Sequence, residues 1–283
     1  MDTLYQSATG KIIRALKQGI VPWRKSSYVA PARNAVSKKA YRGINQFVLG
    51  LNSYRSPYYL SEKQASRLGG RVREGEQPHG VVNWRYWDVM KPDKTGKEPV
   101  GDVQFLRYHL VFNVEQCDGL PDFPAPPRGA GDEIIARAEA TINGMPAKPK
   151  IIYDGDRAGY NPLGDTVTVP RRGRFAAPDD FYGTIFHELT HATASPARLG
   201  RNDDWTAFGD KKYSHEELVA EMGSALLCAR AGLKDRGLLG KTAAYIAHWL
   251  GVLEKNPKIL FLAASQAQRA ADFILGEHKP PRP

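Results

Sequence analysis

The sequence predicts an α+β fold: an N-terminal α+β lobe followed by a mostly helical lobe with a small sheet. Three observations predict it. Helical and alternating hydrophobic spacings occur in both halves of the 283 residues. Residues 119–131 hold four Pro and three Gly in 13 positions, the composition of a semi-rigid linker. A step in charge falls at the same place. The length suffices for one large domain or two ordinary ones, and 42% hydrophobic with 25% charged residues excludes a disordered chain. The expected organisation is a first domain over 1–118, a linker over 119–131 and a second domain over 132–283.

In the first half, residues 4–18 carry Ile12, Ile13 and Leu16 at helical spacing and end at Gly19. Residues 45–52 read as a second helix. Ser61 with Gln64 three positions on is a capping box for a helix to Leu68, stopped by Gly69 and Gly70. Residues 80–90 and 103–113 alternate and read as two paired strands. In the second half, 133–143 is a helix, and 150–153 and 166–169 are short strands. Pro170 suits an edge position for the latter, where an extended peptide could add as a further strand. A helix opens at Pro178-Asp179-Asp180 and runs to about Ala194, before Pro196. Ser214 with Glu217 reads as a second capping box, opening a helix through Ala231. Two further helices fill 242–253 and 259–275.

The net charge of +10 is uneven. Residues 1–130 carry 20 basic and 11 acidic side chains, whereas residues 131–283 carry 20 and 19. No acid occurs between Thr3 and Ser61, yet ten cations do: Lys11, Arg14, Lys17, Arg24, Lys25, Arg33, Lys38, Lys39, Arg42 and Arg55. This asymmetry points to a polyanionic partner. Aromatic residues interleave with the cations (Trp23, Tyr28, Tyr41), and Trp84 and Trp87 follow. A positive groove with stacking platforms is how single strands are held without sequence readout. Trp23 and Tyr41 therefore join the ten cations as candidate DNA contacts. The competing reading buries such aromatics: Phe47 sits in an apolar run, and Trp84 and Trp87 suit a core equally. Cys117 and Cys228 form no CxxC pattern, which excludes a disulfide scaffold and a Cys-rich zinc site and fits a reducing cytoplasm. No apolar stretch is long enough to span a bilayer, and the N-terminus lacks a secretory profile, so neither a membrane nor an exported location is expected.

The strongest chemical signal is His187-Glu188-Leu189-Thr190-His191. On a helix, positions i and i+4 share a face, so both imidazoles can reach one metal ion. Glu188 can sit beside the open coordination position and take a proton from water, the zincin arrangement. A catalytic site takes a third protein ligand. Residues 214–221 offer it: Glu217 as ligand, with Glu221 one turn on as the acceptor that orients a ligand His through its other ring nitrogen. His215 and Glu216 point about one residue off that face. An electrophilic helper is expected from Tyr213 or His215. The ligand set suits Zn2+, and Mn2+ or Co2+ in principle.

With Tyr41-Arg42-Gly43-Ile44-Asn45, Tyr86-Trp87-Asp88-Val89, residues 111–117 (VFNVEQC), residues 187–193 (HELTHAT) and residues 216–221 (EELVAE), the chain resembles the ArdC antirestriction family of conjugative plasmids. That family is similar to the N-terminal part of TraC-type plasmid primases. The resemblance implies a single-stranded-DNA-binding N-terminal domain, a zincin-like metallopeptidase C-terminal domain, and protection of incoming plasmid DNA from host restriction. It also implies the gluzincin pattern of Glu217 followed four residues later by an acid, here Glu221 where Asp or Asn is commoner. No primer synthesis is expected. A protein of the host restriction system is a candidate partner, and the sequence does not name the peptide substrate. Two alternatives remain at this level: a non-enzymatic protein that coats single strands and carries a structural or vestigial metal site, and a metal-dependent nuclease, for which two His and a Glu around one ion is a poor match.

Overall fold

A computed structural model describes residues 2–24, 30–92, 97–124, 129, 131–201, 211–234 and 243–278. Lys25 and Tyr28 lie outside these residues, as do the side chains of Arg24, Trp84, Trp87 and Tyr213.

The first half contains α1 (Asp2–Lys17), a 3-10 turn over Pro22–Arg24, β1 (Arg33–Asn34), α2 (Ile44–Gly50), β2 (Tyr58–Leu60), α3 (Glu62–Arg67), β3 (Arg71–Val72), β4 (His79–Pro92), β5 (Lys97–Asn113) and β6 (Cys117–Asp118). Four strands form a sheet in the order β1-β2-β5-β4, and β3 pairs with β6. The antiparallel β4–β5 ribbon pairs His79 with Val111 and extends beyond the alternating stretches to Pro92 opposite Lys97, with an irregularity between Asp88 and Met90. The Ser61 capping box forms as the sequence predicts. The Gln64 amide donates to Ser61 Oγ at 3.3 Å, and the Gln64 side chain accepts from the Ser61 amide at 2.9 Å.

The second half contains α4 (Gly131–Gly144), β7 (Lys150–Tyr153), β8 (Gly159–Asn161), β9 (Thr166–Val169), α5 (Pro178–Ala192), α6 (Lys211–Ala231), α7 (Ala243–Lys255) and α8 (Lys258–Ile274). The small sheet runs β7-β9-β8. Thr166–Val169 is thus its central strand, not an edge. It is parallel to β7 and antiparallel to β8. Pro170 stands one position past the strand and removes no ladder hydrogen bond. The second correction concerns α6. It begins at Lys211, so Ser214 lies inside the helix and not at the N-cap position. Nothing in Lys211-Lys212-Tyr213 breaks a helix, so the helix starts earlier and Glu217 stays free of the cap.

Two apolar clusters dominate the interior. One draws Ile12, Leu16, Trp23, Phe47 and Val48 from the first half together with Leu218, Met222, Trp249, Leu253 and Leu260 from the second. At about 1.5–3 kcal/mol for each large apolar side chain buried, this shared core fastens the two halves together. The Lys17–Glu254 ion pair at 2.8 Å, the Arg42–Asp272 ion pair and the Gly43 amide donating to Gln268 Oε1 at 3.0 Å add to it. The other cluster packs Ile142, Val167 and Val169 under Tyr182, Ile185, Phe186 and Leu189 of α5. It fixes the rotation of α5, which carries the two histidines. Among the described residues, no helix is long and apolar enough to cross a membrane. Among the described residues, neither Cys117 nor Cys228 is in a disulfide.

Candidate metal centre

Pro178 begins α5, where its missing N–H costs nothing, and Asp179 and Asp180 in the first turn complement the helix dipole. With Tyr182, Ile185, Phe186 and Leu189 turned into the core, His187 and His191 share the adjoining face, each only 8% exposed. Their Nε2 atoms are 3.1 Å apart. Helix α6 lies across this face and runs against α5. His191 meets Glu216 and Glu217, while Ser224 Oγ donates to the Gly183 carbonyl at 2.8 Å. Close approach requires glycine at 223, where a Cβ would sit 2.6 Å from Thr190 Cγ2. Glu217 completes the cluster, with Oε2 3.6 Å from His187 Nε2 and Oε1 3.4 Å from His191 Nε2. The three groups each offer one ligand atom, all within 4.8 Å of one another.

These separations fit an ion. Ligand atoms about 2.0–2.1 Å from one tetrahedral centre lie about 3.3 Å from each other. The nitrogen–nitrogen and nearest nitrogen–oxygen separations here are 3.1, 3.4 and 3.6 Å. Two imidazole nitrogens and one carboxylate oxygen form a donor set suited to a divalent ion of the zinc and manganese class. The charges agree. Burial opposes charging His191, yet the Glu216 and Glu217 carboxylates, 3.5 and 3.4 Å from its ring nitrogens, override it and push the imidazole up to about 10. Burial likewise works against the Glu217 carboxylate, but His187 and His191 hold it well below the ordinary range. The metal-free cluster therefore holds a proton where a cation would bind.

Glu188 follows His187 in mid-helix and is 7% exposed. No described residue hydrogen-bonds to its carboxylate. Glu221 does not point to a histidine. Its Oε2 accepts from the Trp23 indole N–H at 2.7 Å and from the Tyr245 hydroxyl. One turn beyond Glu217, it has passed the histidines and meets the shared core. The carboxylate beside His191 is Glu216, whose Oε1 lies 3.5 Å from Nδ1. Glu216 is also held by Arg201, at 2.7 Å from Nη2. His215 is engaged elsewhere, with Nε2 2.7 Å from Gln266 Oε1 of α8. Sequence reasoning missed Arg201, which lies in a loop without periodicity. Glu216 stands one residue off the face shared by Glu217 and Glu221, and it meets His191 because the crossing of α5 and α6 decides which residues of α6 face that ring.

The candidate nucleic-acid residues divide. Trp23 is not a surface platform: it is fully buried, edge-on to Trp249 with ring centres 6.2 Å apart. Tyr41 is half-buried and packs edge-on against Tyr59. Lys17 and Arg42 are in the ion pairs that join the halves. Lys11 is half-buried, and burial followed by the charge of Arg14 depresses its ammonium below the ordinary lysine value. Lys38 sits over the rings of Tyr58 and Phe123, at 4.9 and 4.5 Å. Arg14, Lys38, Lys39 and Arg55 are exposed, and Arg33 is partly so.

Comparison with known proteins places this geometry. Residues 2–112 match the family described as the N-terminal domain of anti-restriction factor ArdC, and residues 136–266 match a zincin-like metallopeptidase family. The crystal structure of antirestriction ArdC from plasmid R388, metal-free, superimposes with a TM-score of 0.76 at 34% identity, covering 98% of this chain and 99% of that one. The chain belongs to the ArdC antirestriction family. The Mn(II)-bound structure of R388 ArdC matches with a TM-score of 0.75 at 34% identity, over 96% of this chain and 97% of that one. Outside the solved ArdC structures, an uncharacterized protein y4eC of Sinorhizobium fredii (strain NBRC 101917 / NGR234) is 32% identical over 96% of this chain and 91% of its own length. Two Escherichia coli proteins named DNA primase TraC are 32% and 33% identical over 96% and 94% of this chain. The chain spans only 27% and 19% of their lengths. The ArdC likeness thus runs through both halves, the metal-site helices included.

Proposed function

We propose that the protein binds single-stranded DNA through its cationic first half and hydrolyses peptide bonds at a zinc site formed by His187, His191 and Glu217. The convergence of those three side chains within 4.8 Å carries the reading. Three protein ligands, rather than four, leave a position open for water or substrate, as catalytic sites do. When bound, the divalent ion polarises the scissile carbonyl and makes water deprotonation accessible near neutral pH. Glu188 is the general base: it takes the proton from the attacking water and returns it to the leaving amine. His187 and His191 keep their nitrogens aimed at one point because α5 is fixed by the core beneath it. A peptide meeting the small sheet has β7 or β8 as the edge to join.

In this reading the two activities serve one end, shielding entering plasmid DNA from restriction in the bacterial cytoplasm. The exposed cations Arg14, Lys38, Lys39 and Arg55 supply phosphate contacts. A host restriction component is the peptide substrate. The test of the catalytic half is Glu188→Gln in metal-loaded protein, assayed on an unstructured protein substrate. The isosteric amide cannot accept the proton, so hydrolysis falls by about 10²–10⁴-fold. Parental activity in the variant ends the assignment.

A further inference from the structure

Arg201 is an expensive residue to bury, because a guanidinium out of water must find partners for its charge and its fork of donors. Its side chain is only 3% exposed. It finds partners on both helices that carry the candidate ligands. From α5, the Thr190 carbonyl accepts from Nη2 at 3.0 Å. The Thr193 hydroxyl just beyond that helix accepts from Nη1 at 2.5 Å. From α6, Glu216 Oε1 accepts from Nη2 at 2.7 Å. A cation at the C-terminus of α5 is also where the helix dipole favours one.

The same Glu216 oxygen is 3.5 Å from His191 Nδ1. That ring nitrogen is buried and has no hydrogen-bond partner among the described residues. A His whose one nitrogen meets a metal commonly donates from the other to a carboxylate, which fixes the tautomer and the ring. Glu216 is buried and adjoins the partly buried Glu217, and two neighbouring carboxylates out of bulk water repel each other unless one is neutralised. An untethered Glu216 would be drawn toward the ion instead of staying behind the ring.

We propose that Arg201 is a positioning residue for the metal site: it pins Glu216 behind His191, so that the imidazole presents Nε2 to the ion and Glu216 is kept from becoming a fourth ligand. The inference rests on the reading that His187, His191 and Glu217 hold a divalent ion. Arg201 acts on the ion only through Glu216 and His191. A lysine cannot replace it fully, because one ammonium does not span Thr190, Thr193 and Glu216 with a planar fork.

The experiment is a chelator-competition titration of the full chain with Zn2+, together with the visible spectrum of the Co2+-loaded protein and the melting temperature of the metal-free protein. Arg201→Ala weakens Zn2+ binding by about 10–100-fold and changes the Co2+ spectrum. Arg201→Lys recovers part of the loss. Glu216→Gln, whose amide oxygen can take the carboxylate's place behind Nδ1, loses less affinity than Glu216→Ala. A lower melting temperature in Arg201→Ala with Zn2+ affinity and Co2+ spectrum both parental marks a purely structural arginine and overturns the proposal. If Arg201→Ala is unfolded, the Glu216 pair decides: equal affinities for the Gln and Ala variants overturn it. Parental protein that binds no ion, or His187→Ala that binds as tightly as the parent, defeats the metal site itself and is told apart from failure of the Arg201 role.

Discussion

Replacing Trp23 with Phe separates two roles for one aromatic side chain. The indole is fully buried in the core shared by the two halves, and its N–H donates to the Glu221 carboxylate at 2.7 Å. Phe preserves a large ring for packing but removes the donor. A hydrogen bond to a charged group contributes about 1.5–3 kcal/mol, and the smaller ring leaves unfilled volume beside Trp249. Tyr245 still donates to Glu221, so the carboxylate is not stranded, and the lower part of that range applies. The expected loss is about 2 kcal/mol of unfolding free energy, read as a shift in denaturant midpoint at unchanged slope. Affinity for single-stranded DNA, read by fluorescence anisotropy, stays parental at DNA concentrations where the variant is folded. If Trp23 is a stacking platform instead, Phe and Ala weaken DNA binding in proportion to ring size while stability holds. That pattern would refute the shared-core assignment.

Metal affinity rises with pH over an unusually wide window. His191 in the metal-free cluster is raised from 6.5 to about 10, so a proton competes with the ion across that interval and affinity climbs as pH rises through it. The sign for stability is opposite: the raised imidazole supports the metal-free fold fully below about 6.5, and this support fades as pH approaches 10. Chelator competition at several pH values checks the first part, and a plateau in affinity above 6.5 contradicts it. For DNA, Lys39→Ala and Arg55→Ala each reduce the slope of log affinity against log salt by about one, since both side chains are exposed cations. Lys17→Ala changes that slope by less, because Lys17 already has Glu254 as counterion. Equal slopes for all three variants would remove the distinction.

Much of the fold can be read along the chain because its signals are local. The strands at 150–153 and 166–169 match β7 and β9, and the helices fall within a few residues of their expected ends. Two local patterns of the same capping-box type nevertheless diverge. Ser61-x-x-Gln64 caps a helix because β2 ends just before it, whereas Ser214-x-x-Glu217 lies inside a helix that begins at Lys211. The strand β8, three residues long, is too short to show alternation, and its absence from the reading made β9 look like an edge. The histidines are legible because one helix carries both, and Glu217 because it follows on a second helix bordered by apolar residues. Glu216 and Glu221 exchange their expected places because the crossing of α5 and α6, tightened by Gly223 against Thr190, decides which turn faces His191. No window of sequence contains that crossing. The burial of Trp23 depends on Glu221, 198 positions away. A lone aromatic among cations reads as a stacking platform until such a partner is known.

The most direct test is crystallography of the metal-loaded protein with anomalous scattering recorded at the metal edge. The account predicts one strong peak per chain, within about 2.3 Å of His187 Nε2, His191 Nε2 and a Glu217 oxygen, with Glu188 beside it and not bonded to it. No peak there, or a peak held by Glu216 or Glu221 in place of Glu217, would contradict it.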